Sequence, residues 1–296
     1  MTTPSRCGYI AIIGRPNVGK STLLNAVLGK KISITTPKPQ TTRTQILGMK
    51  VIGEDQFVFI DTPGLHEDEQ RAMNRYMNRM ASSVIMDADV IIFMMEATRF
   101  THDDELVLEI LKKATAPIVL VINKIDELKD KRQLLPLIEK VKSKIDFATA
   151  VPLSAKKHQH LDVLLTALAE FLPAGPHLFP DEQITDKPVR FQIAELIREK
   201  LIQLTEQEVP YTTTVEIENY EDKDKLIEIS AIIWVEREGQ KAIVIGKNGE
   251  LLKKIGTQAR KDIETLLDRK VFLRLWVKVK DSWTDDERAL KSLGYT

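Results

Sequence analysis

Gly14-Arg15-Pro16-Asn17-Val18-Gly19-Lys20-Ser21 lies between an apolar run and a Leu-rich helical stretch that opens with Thr22. The spacing G-x-x-x-x-G-K-[ST] between strand and helix builds a polyphosphate cradle. Its glycines let backbone N–H groups turn toward the phosphates, and the helix N-terminus adds its positive end. Lys20 would neutralise the β/γ oxygens and Ser21 would ligate Mg²⁺. A second apolar run ends in Asp61-Thr62-Pro63-Gly64. There Asp61 can hold Mg²⁺ through water, and the Gly64 N–H can meet a γ-phosphate. The intervening "SITTPKPQTTRTQ" (33–45) is polar, Pro-broken and Thr-rich. It suits a segment that orders only when a γ-phosphate and Mg²⁺ are present. Thr42 is the expected Mg²⁺ contact, with Thr41 in competition.

The cradle alone does not choose between nucleotides. Asn123-Lys124-Ile125-Asp126, at the end of the apolar run 118–122, does. A carboxylate in the base plane accepts two hydrogen bonds from guanine N1–H and N2–H₂. Adenine would leave that carboxylate unpaired, at a cost of about 1–3 kcal/mol or more. Asn123 would brace the loop, the Lys124 stem would cover the base, and in Ser154-Ala155-Lys156 the Ala155 N–H can donate to guanine O6. These spacings predict GTP or GDP as ligand.

Positioning these groups requires strands ending at one edge of a sheet. Apolar runs at 9–13, 57–60, 90–95, 118–122 and 148–153 alternate with helical stretches at 73–85, 103–113, 133–144 and 161–171. That alternation predicts an α/β domain with a doubly wound, mostly parallel sheet over residues 1–172. Residues 45–52 form an extra strand candidate, a hairpin neighbour of 57–60. "LPAGPHLFPDEQITDKP" (172–188) carries four prolines and a glycine and reads as a boundary, with 173–188 as linker. Residues 189–296 then read as an α+β unit: a long helix (189–207), strands at 213–218 and 225–236, a helix (250–267) and a strand (271–280).

At 296 residues the chain has room for two domains, and 43% hydrophobic with 29% charged residues mark an ordinary globular protein. Cys7 is the only cysteine, so no intrachain disulfide forms. With no signal-like start, a reducing cytoplasm is expected and Cys7 reads as a small apolar filler. The net charge of zero hides an asymmetry: residues 181–240 carry 15 acidic and 7 basic side chains, residues 241–280 carry 11 basic and 4 acidic. The basic segment suggests a surface for an anion. Within it Gly246-Lys247-Asn248-Gly249 is a G-x-x-G turn, expected between a strand (242–245) and a helix. Such a loop clamps single-stranded RNA, with Lys247, Lys253 and Lys254 where phosphates would run and Arg260 and Lys261 further along the helix.

GRPNVGKST, PQTTRTQI, DTPGLH, NKID and PLSA in the first half resemble the bacterial Era family of GTPases. "VEREGQKAIVIGKNGELLKKIG" and "LWVKVKDSWTDDERALKSLGY" extend the likeness over nearly the full length. The resemblance implies a GTPase domain followed by a type II KH domain, binding to small-subunit ribosomal RNA and a role in assembly of the small ribosomal subunit. It also implies, for some members, peripheral association with the inner membrane; a monomer is expected.

Leu65 follows D-T-P-G where Ras-like enzymes place a water-orienting glutamine, so slow hydrolysis is expected. In related GTPases an asparagine at the Asn17 position ligates potassium, which could stand in for an arginine finger; Arg15 and Arg43 are alternatives. Lys20, Asn17, Thr42 and Gly64 are thus the candidate catalytic groups. A non-enzymatic RNA-binding factor with GTP as structural ligand is the competing class. A tRNA-modifying GTPase would need a helical domain and a C-terminal cysteine, and a P-loop kinase is disfavoured by Asn123–Asp126. Trp234 and Trp276 read as core, Trp283 as a stacking or packing contact, and Thr284–Glu287 as a capping box for a final helix. His158 and His160 lack further ligands for a metal site.

Overall fold

The computed structural model describes residues 5–65, 71–206 and 209–295. His66 of the D-T-P-G-L-H run and Gln207, the expected end of the long helix, lie outside them. Among the described residues, those of 1–33, 42–69 and 74–186 form one compact unit, and those of 34–41, 70–73 and 187–296 form another.

The first unit opens with β1 (Arg6–Ile13), the cradle loop and α1 (Lys20–Leu28). Next come β2 (Ile46–Ile52), β3 (Asp55–Asp61), α2 (Ala72–Asp87), β4 (Val90–Glu96) and α3 (His102–Leu111). It closes with β5 (Ile118–Asn123), α4 (Leu134–Lys142), β6 (Thr149–Pro152) and α5 (Leu161–Ala169). The sheet order is β2-β3-β1-β4-β5-β6, parallel except for β2, which forms the expected hairpin with β3. All seven residues of β4 are buried, as a central strand covered on both faces requires. Full burial of each Ile or Phe there contributes about 1.5–3 kcal/mol. Cys7 is buried, and burial first of all pushes its thiol up, as fits a filler rather than a nucleophile. The Pro-rich stretch is fastened to this unit: Cys7 N donates to the Pro173 carbonyl at 3.0 Å and Met49 N to that of Ile184 at 2.8 Å.

The second unit holds α6 (Val189–Leu204), β7 (Thr214–Lys223), β8 (Leu226–Val235), α7 (Glu238–Ile245), α8 (Glu250–Leu267), β9 (Val271–Val279) and α9 (Glu287–Ser292). The sheet order is β7-β8-β9, antiparallel then parallel. Ile193, Ile197 and Leu201 of α6, and Ile255, Ala259 and Ile263 of α8, recur every four residues and pack on the alternating Ile229, Ala231 and Ile233 of β8. Residues 34–41 belong here too. Thr35 N donates to Glu199 Oε1 at 3.0 Å, and Arg198, 1% exposed, donates to the Thr41 carbonyl while pairing with Glu195 at 2.6 Å.

Three expectations are corrected. Residues 242–245 are the last turn of α7, not a strand: Val244 is buried while Ile243 is 49% exposed, a helical one-sidedness that outweighs β-branched propensity. Thr284 does not cap α9, because its hydroxyl and N–H are taken by Glu236; the Asp286 carboxylate caps instead, accepting from Arg288 N and Ala289 N. Trp276 is not core but 55% exposed, since β9 alternates and only its odd-numbered residues face the helices. Trp234 is half-buried, whereas Trp283 is fully buried and stacks on Tyr295, their centroids 6.0 Å apart.

Candidate functional site

The cradle loop runs from β1 into α1, and its shape depends on Gly19. This residue has φ 108°, and a Cβ there would stand 2.4 Å from Asn123 Nδ2. Lys20 is buried and its Nζ donates to the Gly14 carbonyl at 2.8 Å and the Arg15 carbonyl at 3.0 Å. Burial, opposed by Asp61 and reinforced by Arg15, lowers its pKa to about 8. Val18 is buried, Pro16 and Thr22 half-buried, and Asn17 exposed on left-handed backbone with φ 63°.

An oxygen cluster lies beside it. Asp61 Oδ2 accepts from Ser21 Oγ at 2.7 Å, Ser33 Oγ at 2.8 Å and Thr42 Oγ1 at 3.4 Å, and Ser21 Oγ lies 2.8 Å from Thr42 Oγ1. Thr41 points elsewhere, its hydroxyl 2.6 Å from Thr36 Oγ1 and 2.8 Å from the Lys38 carbonyl. Asp61 is fully buried, which first of all pushes its carboxyl up, against the pull of Ser21, Lys20, Ser33 and Thr42. Its Oδ1 has no hydrogen-bond partner among the described residues. Such an oxygen is costly to leave alone, and an all-oxygen set suits a hard divalent cation. Thr62 Oγ1 donates to the Ile12 carbonyl at 2.9 Å, and Gly64 lies against Pro16, so the chain around Pro63 returns to the cradle. Leu65 is half-buried against the apolar core.

The strand ends assemble the other half. Asn123 Nδ2 donates to the Val18 carbonyl at 2.8 Å, and its Oδ1 accepts from Ala155 N at 3.0 Å, joining three loops through one amide. Ser154 Oγ holds one oxygen of the exposed Asp126 at 2.5 Å, while Lys156 is exposed and Ala155 buried. Glu96, which sequence reasoning missed, ends β4 directly opposite Asn123. It pairs with Lys124 and, at 2.7 Å, with Arg15, which also reaches Asp104 at 3.2 Å. Burial raises the Glu96 pKa, but the hydrogen bonds from Lys124, Arg15 and Arg99 outweigh it and hold it at about 2. A lone carboxylate ending an apolar run was the available signal. Ser33 and Asn25 were missed as well; Asn25 clamps the Ser33 N–H and carbonyl at 3.0 and 2.7 Å.

In the second unit the G-x-x-G turn joins α7 to α8. Gly246 has φ 73°, and a Cβ there would lie 2.7 Å from that of Leu251. Lys247 and Asn248 are exposed at the tip, and Gly249 has φ 78°. A groove of about 520 Å³ runs from Gly249 between α8 (Leu252, Lys253, Gly256, Arg260) and β9 (Phe272, Leu275). Lys254 is exposed on α8 but outside its lining, and Arg260 pairs with Glu264 at 3.3 Å.

Residues 9–124 match the family model described as a 50S ribosome-binding GTPase, and residues 208–284 match a KH domain. The chain is 53% identical over 291 residues to GTPase Era of Pseudomonas aeruginosa, covering 98% of this chain and 95% of that protein. It is 52% identical over 290 residues to GTPase Era of Marinobacter nauticus, covering 98% and 95%. Among solved structures, Era in complex with MgGDPNP and nucleotides 1506–1542 of 16S ribosomal RNA superposes with a TM-score of 0.95 at 41% identity, 99% of each chain being covered. An Aquifex aeolicus Era variant bound to GDP and AlF4⁻ gives 0.95 and 41%, covering 98% of this chain and 99% of that one. With its cradle, its Asn123–Asp126 loop and its G-x-x-G turn in place, this chain belongs to the Era family of GTPases.

Proposed function

We propose that the chain is a slow GTP-hydrolysing switch that docks on small-subunit ribosomal RNA during assembly of the small ribosomal subunit. The observation that carries this reading is the convergence of Ser21, Thr42 and Asp61 beside Lys20, with Asn123 tying the base loop to the same cradle. Ser21, Thr42 and the unpartnered Asp61 oxygen would hold Mg²⁺, which when bound neutralises phosphate charge. Gly14–Thr22 wrap the phosphates, Lys20 meets the β/γ oxygens, and the backbone of Thr62–Leu65 faces the γ-phosphate. Asp126 reads guanine, with the Lys124 stem against the base; the Ala155 N–H, expected to meet guanine O6, is instead held by Asn123 Oδ1 at 3.0 Å.

Leu65 offers no group to orient the attacking water. Asn17, exposed at the cradle rim, would hold a potassium ion, which when bound would supply positive charge to the phosphates. The exposed loop Lys247–Asn248 clamps RNA in the α8–β9 groove, with Lys253, Lys254 and Arg260 toward the phosphates. Likeness to Era bound to 16S ribosomal RNA supports that ligand. Family likeness alone supports a monomer in the cytoplasm with peripheral contact at the inner membrane, checked by sedimentation with and without vesicles. No described helix is long and apolar enough to cross a membrane.

Multiple-turnover phosphate release is the test. Lys20→Ala is expected to abolish it, and potassium is expected to accelerate it over sodium in a manner removed by Asn17→Ala. Tight GTP binding with no turnover in either salt would leave a non-enzymatic factor instead.

A further inference from the structure

The helices of the second unit cover one face of the β7-β8-β9 sheet. On the other face lie Trp234, half-buried, and the exposed rings of Phe272 and Trp276. Along β9, Phe272, Arg274, Trp276 and Lys278 alternate outward, with Phe272 46% and Trp276 55% exposed. Same-face residues lie about 6.8 Å apart on a strand, so the rings stand about 14 Å apart with a guanidinium between them. Arg274 Cζ lies 4.9 Å from the Phe272 ring centroid and makes no ion pair among the described residues. Ile232, opposite Trp276 in register and 4% exposed, gives that ring an apolar floor. Lys278 and Lys280 each place Nζ 5.9 Å from the centroid of Trp234, whose N–H donates to Glu216 at 2.8 Å.

We infer that this outer face of β9 is a second contact surface for single-stranded RNA, taking the strand as it leaves the groove. The inference rests on the reading that the groove holds RNA. Exposed rings interleaved with cations are the composition of a stacking platform, where bases lie on rings and phosphates meet the Arg and Lys between them. Continuity selects RNA over a protein partner, because Phe272 lines the groove as well as the outer face. A G-x-x-G loop clamps only about four nucleotides, so a longer strand has to leave the groove, and this shared rim is an exit. Charge keeps it on β9: Glu216 and Glu218 lie toward β7, the latter 3.6 Å from Lys278, and repel a backbone crossing the sheet.

The full chain is titrated with two labelled oligoribonucleotides at one salt concentration, a tetranucleotide matched to the groove and a strand about four times longer. The double variant Arg274→Ala, Trp276→Ala is expected to bind the long strand about tenfold to a hundredfold more weakly, with tetranucleotide affinity and melting temperature unchanged. Trp276→Phe keeps a ring and is expected to retain long-strand affinity. In the parent the long strand, not the tetranucleotide, quenches the tryptophan fluorescence that Trp276→Phe removes, a readout that holds even if the double variant folds poorly. Equal long-strand affinity in parent and double variant, or quenching unaffected by Trp276→Phe, overturns the platform. A parent that binds neither oligonucleotide overturns the groove reading beneath it.

Discussion

Lys20 sits near half-protonation at about pH 8, because its ammonium is buried, with Asp61 opposing that effect and Arg15 adding to it. Its folded pKa is lowered from 10.5, so between about pH 8 and 10.5 the folded chain binds fewer protons than the unfolded one. This group's contribution to stability is therefore least favourable below pH 8 and improves as pH rises through that window. A triphosphate beside Nζ favours the charged form again, so binding at pH 8 is expected to take up about half a proton. Calorimetry in buffers of different ionisation enthalpy measures this; a flat dependence would count against Lys20 as the phosphate partner. Asp126 gives a second residue-scale expectation. Ser154 holds one carboxylate oxygen, so Asp126→Asn keeps the anchor but turns a donor toward guanine N1–H and N2–H₂. GTP affinity is expected to fall by orders of magnitude while xanthosine triphosphate gains, and competition binding reads both. Equal loss of the two nucleotides would place the base reader elsewhere.

At the scale of elements, the α7–turn–α8 unit holds its shape through the positive-φ backbone of Gly246, Asn248 and Gly249 and through buried Val244 and Ile255, not through the side chains of Lys247 or Asn248. Lys247→Asp with Asn248→Asp is expected to abolish tetranucleotide binding while shifting stability by less than about 0.5 kcal/mol and leaving GTP affinity intact. Anisotropy beside a melting curve checks it; unchanged RNA binding would move the clamp toward Arg260 and Lys261. How much of this was legible in sequence follows from which interactions are local. The cradle, α8 and the β2–β3 hairpin are dictated by short-range spacing, and α8 runs over 250–267 as its periodicity predicts. The run Ala242–Ile245 misleads because a four-residue apolar stretch fits a strand or a one-sided helix, and only the packing of Val244 decides. Trp276 misleads because alternation shows which residues share a face, not which face is covered. Glu96, despite its one signal, and Ser33 and Asn25 were missed for a different reason. Their partners lie on other loops, brought together only by the register of β4 with β5 and by the return of Ser33 to α1.

Taken whole, the proposed nucleotide site and the proposed RNA surface lie on different units, yet the chain does not divide between them once. Residues 34–41 lie with the second unit, and the next residue, Thr42, contributes its hydroxyl to the oxygen cluster of the first. The Thr35 N–H and the Thr41 carbonyl bond to Glu199 and Arg198, both 1% exposed. That bears on dissection. A fragment of residues 187–296 contains every residue of the G-x-x-G turn and the β9 platform, but in it Arg198 and Glu199 would each lose a hydrogen bond, at about 1.5–3 kcal/mol for a bond to a charged group. Such a fragment is expected to melt well below the full chain, and adding residues 34–41 as a separate peptide is expected to raise its melting temperature. The two halves are therefore a poor place to cut: what looks like modular cloning at the proline-rich boundary removes a splint that only the other half encodes.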